Sequence, residues 1–254
     1  PVDRFVDFLI EKGHLDNTEL EARKTRHKEA IVSALKAAEA EPDVEPNRAA
    51  EFQRLFKEDP ALIREAGSET KELRMIDAIS EGLKQSMERH PELVLMGQDI
   101  GKYGGVFKVT DGFADQFGAD RVRNTPLCES AIVGTGLGLS IAGAKAMVEM
   151  QFADFVTCGF NQIVNNLAKL HWRWGQKADV VVRMPTGGGV AAGPFHSQSN
   201  EAWFFHVPGL MIAYPAFPSD AKGLLATAFD TPNPVLFFEH KALYRSLSGE
   251  VPTN

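Results

Sequence analysis

Cysteine is nearly missing from this 254-residue sequence: Cys128 and Cys158 are the only two, and no C-x-x-C spacing joins them. A disulfide framework is excluded, and a reducing, cytoplasmic compartment is the expected location. Basic residues are outnumbered, 27 Lys and Arg against 34 Asp and Glu for a formal net charge of −7, and none form a run longer than a pair. A nucleic-acid groove needs a positive footprint to displace counterions from phosphates, so that class is excluded. The uncharged stretch 130–144 is too short and too rich in glycine to span a bilayer. No signal peptide is visible. What is present, 44% hydrophobic and 24% charged residues, is the composition of a folded globular protein of one large or two small domains.

Charge is unevenly spread, with more than half of the charged side chains in the first 90 residues. Two kinds of structure therefore share the chain. In the charged zone Val2, Phe5, Val6, Phe8 and Leu9 fall near one face of a short helix that ends at Gly13. Thr18 and Glu21 have capping-box spacing for a second helix, with Ile31, Val32 and Leu35 as its apolar stripe. Residues 42–46 read as a linker. Phe52, Leu55, Phe56, Leu62 and Ile63 follow among many charges, then a longer helix from about Glu72 to Glu88. So sparse a stripe cannot build its own core, which makes these helices an arm that wraps another surface.

Beyond His90 short aliphatic runs alternate with helix-length segments, the pattern of an α/β fold with a parallel sheet flanked by helices. The expected strands are Leu93–Met96, the neighbourhood of Val122, Ala146–Met150, Val180–Met184, Leu210–Ala213 and Val235–Phe238. Ligands of such sheets collect at the carboxyl ends of the strands. Asp99, Glu129, Gln151, the turn 185–189 and Glu239 all follow strand ends.

Several motifs can be tested by spacing. Gly134-Thr-Gly136-Leu-Gly138 fails the dinucleotide pattern, because the third glycine is missing from either register, and reads instead as a buried helix studded with small residues. Gly187-Gly188-Gly189 lacks the Lys-Ser/Thr of a phosphate-binding loop. No Gly-Asp-Gly with a later Asn, the pattern that holds a Mg²⁺-bound diphosphate, occurs anywhere. Glu129 heads the glycine-studded helix. Helix-dipole stabilisation alone would account for it; the alternative is a carboxylate shielded from water that shares a proton with a ligand nitrogen. His196, beyond the glycine loop, has the side chain that exchanges protons near neutral pH. Histidines 171, 206 and 240 show no metal-ligand spacing, and no G-x-S-x-G elbow supports a serine hydrolase. Phe152, Phe155, Phe160, Trp172 and Trp174 read as core, with Phe155 able to offer a ring face to a heteroaromatic ligand.

Together the motifs Asp99-Ile-Gly101, Gly104-Gly-Val-Phe107, Asn124-Thr-Pro-Leu-Cys-Glu129, Gln151-Phe-Ala-Asp154, Asn161-Gln-Ile163, His196-Ser-Gln-Ser199 and Lys241-Ala-Leu-Tyr-Arg245 resemble the beta subunit of thiamine-diphosphate-dependent 2-oxoacid dehydrogenases. The resemblance runs from about residue 72 to the end, and its wording is closer to the branched-chain (2-oxoisovalerate) type than to the pyruvate or acetoin types. It implies a transketolase-like pyrimidine-binding domain over residues 71–254. Residues 1–70 resemble instead the C-terminal tail of the alpha subunit. A tail of one subunit before the head of the other, with Pro1 in place of an initiating Met, reads as a fragment of a fused alpha-beta polypeptide.

The same resemblance implies chemistry. Thiamine diphosphate would be the cofactor, with Mg²⁺ held by the alpha-like portion. Glu129 would hydrogen-bond the aminopyrimidine, Leu127, Gln151 and Phe155 would line its pocket, and His196 would assist acyl transfer to lipoamide. Phe155 replaces a tyrosine of many relatives, keeping the ring but losing the hydroxyl. Some relatives hold potassium on backbone oxygens near Val180 and Val181. The implied partners are an alpha-like diphosphate-binding domain, the lipoyl domain, the acyltransferase core and further copies of the chain. Nucleic acid and membrane are not among them. A non-catalytic assembly module with the same fold is the rival reading, and the presence of both Glu129 and His196 argues against it.

Overall fold

The computed structural model describes residues 1–59 and 65–254, which form two compact units, Pro1–Asn47 and Arg48–Asn254. The first unit holds α1 (Val2–Glu11) and α2 (Asn17–Glu39). Just beyond α1, Gly13 takes a positive φ of 71° that an L-residue resists. The cap of α2 differs from the expected Thr18 box: the Asp16 side chain accepts the Glu19 N–H at 2.7 Å. Asp caps as well as Thr and stands two residues earlier, so it reaches the orphan donor first. Neither helix buries a residue, and Phe5, Ile31 and Leu35 are exposed. Residues 42–46 have no regular structure.

The second unit opens with α3 (Arg48–Gln53), where Phe52 is exposed; Leu62 and Ile63 of the same stripe lie outside the described residues. Next come β1 (Thr70–Arg74) and α4 (Met75–Arg89). The helix expected from Glu72 therefore starts three residues late. Its first residues are held instead in an antiparallel ladder with the final strand, Ser248–Pro252.

The main sheet has six strands, all parallel: β2 (Leu93–Gly97), β3 (Val122–Asn124), β4 (Lys145–Glu149), β5 (Val180–Thr186), β6 (Met211–Ala213) and β7 (Val235–His240). Each matches a strand the sequence predicts, with ends shifted by a residue or two. Their order is β3-β2-β4-β5-β7-β6. The connections carry α5 (Phe113–Phe117), α6 (Glu129–Ile141), α7 (Val156–Asn161), α8 (Leu170–Trp174) and α9 (Pro218–Asp230); α10 (Leu243–Ser246) and β8 (Ser248–Pro252) close the chain.

Successive side chains of each strand go to opposite faces, which gives two cores. Val180, Val182 and Met184 of β5 join Val148, Leu236 and Phe238 under α6. Val181, Met147 and Phe237 join the apolar faces of α4 and α9 on the other side. Helix α6 lies close on the sheet because residue 136 has no side chain: a Cβ there would come within 2.8 Å of Val148 Cγ1. It is not buried all round, as its glycines suggest. Ala131, Thr135, Gly138 and Ile141 are exposed, because a helix laid on a sheet covers only one stripe.

Strand order also fixes where a ligand can sit. From β2 the chain passes to β3 on one side, whereas from β4 it passes to β5 on the other. The carboxyl ends of β2 and β4 thus flank a topological switch point, the crevice where such sheets bind their ligands.

Candidate active site

Residues from both sides of the crevice meet. Gln98 and Asp99 follow β2. The Gln98 Nε2 donates to Glu129 Oε1 at 3.1 Å, and Asp99 Oδ2 accepts from Gln151 Nε2 at 3.1 Å. Asp99 has a φ of 60°, which few non-glycine residues adopt and which marks a backbone constrained beside the site. Glu129 is the first residue of α6 and half-buried. Its Oε2 has no hydrogen-bond partner among the described residues. Gly159 at α7 lets that helix approach this turn, since a Cβ would lie 3.3 Å from the Glu129 carbonyl oxygen.

An aromatic group follows β4. Phe152 stands edge-on to Phe155 (5.8 Å between ring centres) and to His196 (4.7 Å), and Phe155 stands edge-on to His196 (5.4 Å). Lys241 Nζ lies 5.4 Å from the centre of the Phe152 ring. The glycine loop that leads to His196 is packed on its own chain: at Gly187, φ 79°, a Cβ would come within 2.5 Å of the His240 ring. Leu127 joins none of these groups and is 82% exposed.

Beneath the crevice lies a buried charge cluster. Arg183 of β5 donates to Glu239 through Nε (2.5 Å) and Nη2 (2.7 Å), and through Nη1 to Glu149. The Tyr244 hydroxyl donates to Glu239 Oε2 at 2.5 Å. Burial opposes the Arg183 charge, but Glu239 and Glu149 outweigh it and hold the guanidinium pKa well above its ordinary value. Burial raises the Glu149 carboxyl, against the pull of Arg183 and with the push of Glu239. Burial and Glu239 together raise Tyr244, so the phenol keeps the proton it donates.

The structure therefore joins Glu129 to Gln98, a neighbour the sequence did not single out, and sets a further unpredicted pair, Glu149 and Arg183, in a buried charge cluster. A signal for the cluster was present. A charge in the middle of an apolar strand, as in Val182-Arg183-Met184, needs a buried partner. The tryptophans, expected in the core, are not there: Trp172 is 47% exposed and bonds Glu51 through Nε1, and Trp174 is 62% exposed beside Arg173. Among the described residues no group of three or more His, Cys, Asp or Glu is placed to hold a metal ion. A concavity of about 910 Å³ lined by Gln85, Arg89, Asp220 and Lys222 lies against α4 and α9 and includes none of the site residues.

Residues 71–246 match the transketolase pyrimidine-binding domain family. The chain belongs to that family. Its parallel six-stranded sheet flanked by helices is the fold of this pyrimidine-binding domain. The beta subunit of 2-oxoisovalerate dehydrogenase from Bacillus subtilis is 49% identical over 181 residues, 70% of this chain and 55% of that one. A pyruvate dehydrogenase E1 component subunit beta from Staphylococcus epidermidis is 40% identical over 183 residues, 71% of this chain and 56% of that one. The chain thus spans about half the length of the curated relatives it matches. A solved structure described as split gene transketolase, inactive beta4 tetramer, aligns at a TM-score of 0.54 with 21% identity, over 65% of this chain and 50% of that one, which is a likeness of fold. The crevice at β2 and β4 brings together a carboxylate with one oxygen and a buried Gln98 amide oxygen, both without a hydrogen-bond partner among the described residues, and beyond β4 stands the ring of Phe155.

Proposed function

We propose that this chain is the pyrimidine-binding part of a thiamine-diphosphate-dependent 2-oxoacid dehydrogenase, and that the whole enzyme oxidatively decarboxylates a branched-chain 2-oxoacid and passes the acyl group to lipoamide. The observation that carries the reading is Glu129, set at the head of α6 beside the crevice with Oε1 held by Gln98 and Oε2 free. When bound, thiamine diphosphate supplies the carbanion chemistry. This chain's residues act at the pyrimidine side of the cofactor. Glu129 Oε2 holds a proton shared with a ring nitrogen, Gln98 fixes the carboxylate, Phe155 and Leu127 offer apolar surface, and Gln151 is oriented by Asp99. His196, held edge-on between Phe152 and Phe155, serves acyl transfer.

The branched-chain type is favoured over the pyruvate type, since the 2-oxoisovalerate relative from Bacillus subtilis is more similar than the pyruvate one from Staphylococcus epidermidis, 49% against 40% identity; the acetoin type is the remaining alternative. The same reading takes residues 1–70 as an alpha-like tail of a fused polypeptide and gives Mg²⁺ to the alpha-like portion. It names that portion, the lipoyl domain, the acyltransferase core and further copies of the chain as partners, in the cytoplasm. Val180 and Val181 could offer potassium only backbone oxygens, because their side chains fill the two cores; no step depends on that ion.

The test is Glu129→Gln in the full-length polypeptide, assayed for decarboxylation of 3-methyl-2-oxobutanoate and of pyruvate with an artificial electron acceptor. A loss of at least about 100-fold with unchanged circular dichroism is expected. Near-normal turnover would remove Glu129 from the mechanism, and no turnover of either acid by the unaltered enzyme would favour the assembly-module reading.

A further inference from the structure

Asp154 lies in the same short stretch as the rings that hold His196. It is 5% exposed and sits between Phe152 and Phe155, both edge-on to the His196 ring. Its Oδ1 accepts the backbone N–H of Gln198, two residues beyond His196, at 3.0 Å. The carbonyl of Gln198 in turn accepts from Thr186 Oγ1 at 3.1 Å and from the Gly187 N–H at 2.9 Å. Asn200 Nδ2 donates to the Ala153 carbonyl at 2.8 Å. The backbone after His196 is therefore stitched on one side to residues 153–154 and on the other to the end of β5, and Asp154 supplies the stitch nearest the imidazole.

Charge adds to geometry. Lys241 is buried, its Nζ has no hydrogen-bond partner among the described residues, and it lies 5.4 Å from the centre of Phe152. Asp154 Oδ2 is likewise enclosed without a partner, as is His196 Nδ1. Burial lowers the Lys241 pKa and the Asp154 carboxylate opposes that lowering, so the two opposite charges act on each other. An alanine at 154 would lose both the backbone stitch and the counter-charge, an asparagine only the counter-charge.

We propose that Asp154 is the positioning residue for His196: it clamps the histidine's segment through the Gln198 N–H. Asp154 touches no reacting atom and acts through His196. Its effect on turnover rests on the reading of His196 as the acyl-transfer residue; its effect on the histidine does not.

The experiment uses the full-length, assembled enzyme with Asp154→Ala, Asp154→Asn and, as reference, His196→Ala. Three quantities are measured: decarboxylation with an artificial electron acceptor, acyl transfer to the lipoyl domain, and the rate at which diethyl pyrocarbonate modifies His196, read by peptide mass spectrometry. Asp154→Ala is expected to lower acyl transfer by about 100-fold, the scale of a misplaced catalytic group, to leave dye-coupled decarboxylation unchanged and to speed modification of His196 several-fold. Asp154→Asn keeps an acceptor oxygen and should recover most of the acyl transfer. Parallel loss of both activities, or modification of His196 at the wild-type rate, would overturn the proposal. If His196→Ala fails to separate the two activities, the role of His196 falls, and the modification rates still decide the clamp. Should the alanine variant not assemble, Asp154→Glu, which displaces the carboxylate by one methylene, gives the same selective loss if the clamp is real and none if it is not.

Discussion

Arg183 holds two buried carboxylates, Glu239 through two hydrogen bonds and Glu149 through one. Removing it leaves both without a counter-charge in the interior. Arg183→Met is expected to destabilise the domain by about 3–5 kcal/mol at pH 7, the cost of orphaning a buried charge, measured by urea unfolding. The deficit depends on pH with a definite sign. Glu149 has a folded value above its ordinary 4.5, so the stability it contributes is complete below 4.5 and lost as pH rises through the raised value. Without Arg183 that value rises further. The variant's deficit should therefore shrink between pH 7 and pH 5, and a deficit that grows on acidification would contradict the assignment. Of the site's individual residues, Glu129 and His196 were legible in the sequence because their types carry a chemistry. Gln98 was not, since an amide after a strand has no pattern of its own and its role appears only once β2 and α6 bring it to Glu129.

At the level of elements, α6 provides a controlled comparison. Gly136 faces Val148, and an added Cβ would meet it at 2.8 Å; Gly138 on the same helix has nothing within 4 Å. Gly136→Val should lower stability by about 1–3 kcal/mol through overpacking, whereas Gly138→Ala should raise it by up to about 1 kcal/mol through helix propensity. Thermal unfolding of the isolated chain distinguishes them, and equal effects would show that α6 does not lie on β4 as described. The central strands β2, β4, β5 and β7 were readable because each is a short, mainly aliphatic run buried on both faces. β1 and β8 were not. Thr70-Lys-Glu-Leu-Arg74 is polar and largely exposed, and its partner strand starts 174 residues later at Ser248, so no local signal exists and only the closed fold brings them together. The exposed tryptophans follow similar logic, because size alone cannot tell a core ring from one that meets Glu51 or Arg173 at the surface.

For the molecule as a whole, the missing Gly-Asp-Gly…Asn pattern bears on what this chain can do by itself. With the proposed pyrimidine crevice but no diphosphate-holding motif, the isolated chain is expected to bind thiamine diphosphate weakly and without a Mg²⁺ requirement, as measured by calorimetry with and without a chelator. Tight, Mg²⁺-dependent binding would overturn the assignment of the diphosphate to another portion. The two units also differ in kind: α1 and α2 bury no residue, whereas the second unit has two filled cores. The antiparallel pairing of β1 with β8 places Thr70 opposite Pro252, and the Thr253 N–H reaches the Glu69 carbonyl beyond them. The two strands therefore leave the ladder at the same end. Pulling residues 67 and 254 apart would load these hydrogen bonds in sequence rather than together, starting at the Gly67 N–H to Asn254 Oδ1 bond (2.7 Å) and the Thr253 N–H to Glu69 carbonyl bond, so this ladder is expected to unzip before the six-stranded sheet loses its register.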